Sequence, residues 1–218
     1  MSLDRYGNKR DFARTTEPKS GQPKRAPRGA DHPFVVQRHH ASRVHYDFRL
    51  EIDGTLKSWA VPKGPSMNPV DKRFAVRVED HPLDYQNFEG EIAKGNYGAG
   101  HVHLWDRGTF ELLPPTTPHD RGGLEQIAKG SLRVELRGKK LKGVFALVRM
   151  RGAEQDAWLL VKQKDKHAVD TPYVAEDLMP KRALAAAAKV KAAHAGGNSA
   201  TTRRKTAKKS ARSTRSAR

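Results

Sequence analysis

The sequence predicts a mainly β protein, an antiparallel barrel or sandwich with a polar cleft and basic segments at both ends. Three observations predict it. Short stretches alternate apolar and polar residues with the period of a strand, and turn residues separate them at close intervals. Charged residues and histidines share one face of several of these stretches. The net charge of +18 is concentrated outside the middle of the chain.

In order along the chain, residues 1–30 are polar and hold 8 Lys/Arg against 3 acids. Pro23, Pro27, Gly21 and Gly29 prevent Lys19 to Ala30 from being one regular element, so 1–30 reads as an arm that orders on docking, plus a linker. "FVVQ" is a short apolar run. "RVHYDFRLEI" puts Val44, Tyr46, Phe48 and Leu50 on one face, and Arg43, His45, Asp47, Arg49 and Glu51 on the other. "DGT" is a hairpin signal and "LKSWAV" the return strand. "RFAVRVED" sets Phe74, Val76 and Val78 against Arg73, Arg77 and Glu79. "GHVHLWD", "GTFELL", "SLRVELRG", "GVFALVRM" and "AWLLVKQK" supply further strands, with "GGLEQIAKG" a short helix or loop. Many strands with close turns define the barrel or sandwich over 31–180. Residues 181–218 hold 12 Lys/Arg and no acid; they start Ala-rich and helix-prone and end as a low-complexity tail expected to be disordered alone.

The middle, 31–180, keeps 22 basic and 21 acidic residues and is nearly neutral. Basic ends on a neutral domain point to a polyanion, nucleic acid first. The chain has no cysteine, which excludes disulfides, thiolate metal sites and a cysteine nucleophile. No apolar run approaches the ~20 residues of a membrane span, and "MSLDRYGNKRDF" has no signal core. The expected location is cytoplasmic and nucleoid-associated, with no membrane partner.

The chemistry concentrates in "QRHHASRVHYDFRLE". His45 and Asp47 point the same way from one strand, and His39 or His40 just upstream adds a second imidazole. Mixed imidazole and carboxylate donors suit Mn²⁺, Fe²⁺ or Zn²⁺. Arg49 shares that face, and Arg73 is expected to reach the same cleft from another strand. Guanidinium forks match phosphate oxygens, so a metal beside arginines points to phosphoester hydrolysis.

Together, "YGNKRDFARTTEP", "FVVQRHHASRVHYDFRLEIDG", "SWAVPKGPS", "FAVRVEDHPLDYQNFEG" and "GNYGAGHVHLWDRGTF" resemble the 3′-phosphoesterase domain of bacterial DNA ligase D, from about Leu3 to about Lys164. The resemblance implies a β-barrel flanked by helices and an Mn²⁺-dependent activity at DNA 3′ ends. That activity removes a terminal ribonucleoside and then the remaining 3′-phosphate. It implies His39, His45 and Asp47 as metal ligands. Arg49 and Arg73, with Lys63, would grip the phosphate, and His81 and Tyr85 would contact it and handle protons. Gln37 is expected at the rim and Glu79 behind the contact residues. Arg10, Asp11 and Glu17 are expected to fold over the site, with Asp11 and Glu17 facing ribose hydroxyls. This part of the resemblance replaces the loose arm suggested by composition. DNA 3′ ends are the implied partners, together with Ku and a separately encoded ligase or polymerase if the domain does not act alone.

His40 is expected to face away from the site, and His32, His119, His167 and His194 lack ligand-like spacing. "GNYGAG" precedes a strand and reads as a glycine turn, not a dinucleotide cradle. Trp59, Trp105 and Trp158 read as core or cleft wall. The alternatives are a non-haem Fe(II) oxygenase, built on His45 and Asp47 with a distal His101 or His103, and a non-enzymatic basic DNA-binding protein.

Deleting 181–218 is expected to flatten the dependence of log K on log salt for duplex DNA by roughly 4–8 units, at ~0.9 per phosphate neutralised. An unchanged slope, measured at several salt concentrations, would assign the tail to a protein partner instead.

Overall fold

The computed structural model describes residues 3–19, 32–114, 122–153 and 156–179. The chain divides into two units, Met1–Leu178 and Met179–Arg218. Apart from Met179, the second unit and its expected tail lie outside the described residues, as do the linker residues 20–31.

The alternating stretches form strands. Strand β1 (His32–His40) runs antiparallel to β2 (Val44–Ile52), and β2 to β3 (Thr55–Val61). Asp53 and Gly54 join the latter pair with φ of 55° and 75°, the two positive values a two-residue hairpin turn requires. Then follow β4 (Lys72–Arg77), β5 (His81–Pro82), β6 (Gly90–Ile92), β7 (Gly100–Leu112), β8 (Ser131–Gly138), β9 (Lys142–Arg149) and β10 (Ala157–Lys162). The order β1-β2-β3-β4-β10-β9-β8-β7 closes through β1–β7 pairing into an eight-stranded antiparallel barrel. Short β5 and β6 hang on β3 and β7. "GHVHLWD" and "GTFELL", two stretches in the sequence, are one 13-residue strand, β7. Its register against β1 shifts between Val36 and Gln37, so an alternation that breaks there is a bulge and not a chain reversal.

Closure gives the wall two faces. Registers carry Phe34, Phe48, Trp59, Ala75, Trp158 and Leu147 across successive strands to the interior, all buried. Trp59 and Trp158 meet edge-on at 5.8 Å. The three tryptophans are core, as expected. One strand reads the other way round: Ala60 pairs with Val76, so Phe74 and Val76 face outward, and Phe74 is 45% exposed. The interior side of β4 is Ala75, flanked by Arg73 and Arg77. A narrow barrel leaves room there for alanine opposite the tryptophans.

Outside the wall, helix α1 (Leu3–Asn8) packs on β5 and a 3₁₀ turn (Leu83–Asn87) on β3. Tyr6, Leu56, Tyr85, Phe88, Ile92 and Val102 form a second core there, with Phe12 and Leu83 packed against it. A second 3₁₀ turn (Ala175–Leu178) crosses the opposite side. Arg38 donates to both oxygens of Glu176, at 2.5–3.1 Å, and Tyr46 Oη donates to Glu176 at 2.6 Å. Trp105 Nε1 donates to the Ala175 carbonyl at 2.8 Å.

Arg38 is buried, so losing its partner is costly. Glu176→Ala is expected to lower the unfolding free energy by ~1–3 kcal/mol. Arg38→Met with Glu176→Leu should recover most of the loss, because an apolar pair leaves no buried charge behind. Denaturant unfolding of both variants checks this; equal stability of Glu176→Ala and the parent would refute the latch.

Candidate active site

The site is built on the outer face of the β1–β2 hairpin. Pairing places His39 directly across from His45 and Gln37 across from Asp47. A hairpin, not one continuous strand, thus brings His39 beside His45, with ring centroids 4.8 Å apart. His39, His45 and Asp47 each offer an atom within 4.8 Å of the others. They are the metal-type cluster found among the described residues.

The hydrogen bonds orient these donors. His39 Nε2 points at the Gly98 carbonyl at 2.8 Å, and His45 Nδ1 at the Arg43 carbonyl at 3.2 Å. A carbonyl only accepts, so those nitrogens carry the protons. The remaining nitrogens, His39 Nδ1 and His45 Nε2, turn lone pairs toward Asp47 at 3.7 and 3.6 Å. These separations are too long for hydrogen bonds. Three electron-pair donors converging with no proton between them fit a divalent cation, and imidazoles anchored through their other nitrogen are how metal-binding histidines are held. Gly98 has φ of 74°, which lets its carbonyl face His39.

Arg49 lies beneath this cluster, buried. It donates to Gln37 Oε1 at 2.8 Å, Ser58 Oγ at 2.9 Å and Asp47 Oδ2 at 3.0 Å, and its guanidinium lies 4.8 Å from the Tyr85 ring centroid. Burial alone would push the Asp47 carboxyl up. The Arg49 guanidinium beside it overrides this and holds the group well below the usual carboxylate range. Gln37 is not at the rim, as expected from sequence, but wholly buried. Its amide donates to the Tyr85 and Phe88 carbonyls at 3.0 and 2.8 Å, tying the 3₁₀ turn to Arg49.

The cleft, about 140 Å³, is lined by His39, His45, Asp47 and Arg49 together with Arg10, Glu79, His81, Tyr85, Tyr97 and Gly98. The N-terminal segment does fold over it. Glu17, buried, accepts from Arg10 Nε and Tyr85 Oη, both at 2.9 Å, and from Thr15 Oγ1 at 3.0 Å. Glu79 accepts from Lys9 at 3.1 Å and Arg10 at 3.3 Å. Burial raises the Glu79 carboxyl, but its hydrogen bonds and the charges of Lys9 and Arg10 bring it below its ordinary value. Burial also pushes the Tyr85 phenol well above its ordinary value, so it keeps its proton.

Several expectations are corrected. His81 is not an ionised acid: burial and the charges of Arg49 and Arg10 drive its pKa well below 6.5. Its Nδ1 donates to the Glu79 carbonyl at 2.9 Å and its Nε2 accepts from Arg10 at 3.4 Å, which is the neutral ring. Asp11 is exposed and closes a turn on the Ala13 amide at 3.0 Å, and both Glu17 oxygens are engaged by protein. Neither is among the residues that line the cleft. Arg73 and Lys63 line a different cavity, with Val44, Tyr46, Tyr173 and Glu176. Strand parity explains this: Arg73 lies on the face of Trp59, not that of Asp47, and donates to Asp71 and the Tyr173 carbonyl at 2.8 and 2.7 Å. His101 and His103 pair with His40 and Arg38 on the face away from His39. The distal-histidine oxygenase arrangement is therefore not formed. Lys9, Tyr97 and Gly98 were missed. The exposed aromatic inside the glycine turn was the available signal.

Barrel, cluster and buried guanidinium together define a phosphoesterase-type domain. The chain belongs to the DNA ligase D 3′-phosphoesterase domain family, whose model matches residues 37–149. It is 54% identical over 170 residues to the multifunctional non-homologous end joining protein LigD of Pseudomonas aeruginosa, covering 76% of this chain and 19% of that protein. To its namesake in Mycolicibacterium smegmatis it is 41% identical over 165 residues, 75% of this chain and 21% of that one. To the multifunctional non-homologous end joining DNA repair protein LigD of Mycobacterium tuberculosis it is 44% identical over 169 residues, 75% of this chain and 20% of that one. The chain thus spans about a fifth of the length of these relatives.

Gln37→Leu keeps the volume but strands the Arg49 Nε and two carbonyls. It is expected to cost ~1–3 kcal/mol of stability and to impair turnover without touching substrate. Parent-like denaturation and parent-like turnover together would refute this positioning role.

Proposed function

We propose that this domain heals DNA 3′ ends for break repair, first hydrolysing off a 3′-terminal ribonucleoside and then the 3′-phosphate, with Mn²⁺ as cofactor. The observation that carries the reading is the convergence of His39, His45 and Asp47 beside the buried Arg49 in one cleft. His39 Nδ1, His45 Nε2 and an Asp47 oxygen would hold the ion. Bound there, the cation would supply charge stabilisation to phosphoryl oxygens.

The protein's own groups do the rest. Arg49 and Arg10 present guanidinium protons to the phosphate, and their partners Gln37, Ser58, Glu17 and Glu79 set their angles. The burial of Arg49, His81 and Tyr85 keeps bulk water from screening these charges. In the first step water adds to phosphorus, the bond to O5′ of the terminal nucleoside breaks, and O5′ leaves with a proton. In the second, water again adds to phosphorus, the bond to O3′ breaks, and a 3′-hydroxyl and inorganic phosphate result. His81 Nε2 is an acceptor and the Tyr85 phenol spends its one proton on Glu17, so the guanidinium groups of Arg49 and Arg10 are the donors that would meet a leaving oxygen.

DNA ends are the proposed partners, with Ku, a ligase and a polymerase as protein partners, in the cytoplasm at the nucleoid. No helix among the described residues is long and apolar enough to cross a membrane.

A primer–template ending in one 3′ ribonucleotide tests the proposal. With Mn²⁺ the primer should shorten to a 3′-phosphate end and then gain a 3′-hydroxyl. EDTA, or His39→Ala, His45→Ala or Asp47→Ala, should stop both steps while the fold survives. Parent-like activity in any of the three variants would overturn the ligand assignment. Lost electrostatic contributions of this kind cost ~10²–10³ in rate, so Arg49→Ala is expected to fall in that range.

A further inference from the structure

We propose that Tyr97 is the platform on which the base of the departing terminal nucleoside stacks, making it a specificity residue for the ribonucleoside step; this rests on the end-healing reading above. The cleft at about 140 Å³ is well short of the ~300–1,000 Å³ of sites that enclose whole organic ligands. It has room for a phosphate, not for a phosphate with its nucleoside. The nucleoside is joined to the scissile phosphorus through O5′, so its base lies one sugar away, at the cleft's lip.

Tyr97 occupies that lip. Among the described residues it is the single exposed one lining the cleft, at 51%. Its neighbour Gly98 is bonded to His39, which fixes its distance from the cluster within one residue of chain. Asn96 Nδ2 donates to the Arg14 carbonyl at 3.2 Å, tying the same loop to the N-terminal segment. Lys9 lies over one face of the ring: its Nζ donates to Tyr97 Oη at 3.1 Å and sits 4.2 Å from the ring centroid. The same ammonium is tethered to Glu79 at 3.1 Å. An oriented, half-exposed aromatic beside a polar phosphate cleft matches the way single-stranded ends are bound without sequence preference, since every base offers a π-face.

Stacking of this kind is lost by alanine substitution at a level of ~5–140-fold per base. Tyr97→Ala is expected to lower kcat/KM for ribonucleoside removal by about that factor relative to kcat/KM for phosphate removal, because the second substrate has no departing base. Tyr97→Phe, which loses the Lys9 hydrogen bond but keeps the ring, should retain the parent ratio. A primer ending in an abasic ribose should be poor for the parent and no worse for Tyr97→Ala. Additive losses from removing base and ring, or an equal fall in both activities, would overturn the proposal. Quenching of a terminal 2-aminopurine ribonucleotide on binding reads the stacking without turnover. The parent should quench it and Tyr97→Ala should not, and quenching that survives in Tyr97→Ala would also overturn the proposal. An inactive parent that still quenches would sink the end-healing reading and leave the stacking in place.

Discussion

The buried pair of Arg49 and Asp47 is the interaction on which the rest of the site depends. A guanidinium and a carboxylate taken out of water are tolerated only when their remaining donors and acceptors are met. Here three of the guanidinium donors are met, from three adjacent strands: Gln37 of β1, Asp47 of β2 and Ser58 of β3, and the others remain for a ligand in the cleft that Arg49 lines. Gln37 then holds the 3₁₀ turn that carries Tyr85, and Tyr85 reaches Glu17 of the N-terminal segment. The docking of that segment follows from the charge beneath it. Removing the pair would loosen the turn, Glu17 and Arg10 together.

The barrel wall separates two duties by face. The interior carries aromatic and aliphatic packing; the outer face carries Gln37, His39, Asp47, Arg49 and Ser58 under a cover of helix and turn. Because successive residues of a strand point to opposite faces, β1 can place His39 in the site and Arg38 in a latch to Glu176 on the other side of the wall. The same parity sends Arg73, His101 and His103 away from the cleft. An arginine near in sequence pattern is thus not an arginine near in space, unless its register is also known.

The small cleft and its exposed lip divide recognition between charge and stacking. In the proposed reading, the buried guanidinium groups would meet the phosphate, and what lies beyond it would meet Lys9 and Tyr97 of the arm and the glycine turn.

How much was legible in the sequence differs between fold and site. Alternation, the Asp53–Gly54 turn and the tryptophans made a closed β architecture readable, because strand period and hairpin chemistry are local. His45, Asp47 and Arg49 were readable as one face for the same reason. His39 joined them only by the motif, and the hairpin register then put it across from His45. What sequence could not decide was every relation set by distant pairing. The bulge opposite Gln37, the outward face of β4, the burial of Gln37, the neutral state of His81 and the place of Tyr97 beside Lys9 all depend on which strand or loop lies next to which. Local order is written in neighbouring residues; register, burial and the charges around a buried ring exist only once the barrel has closed.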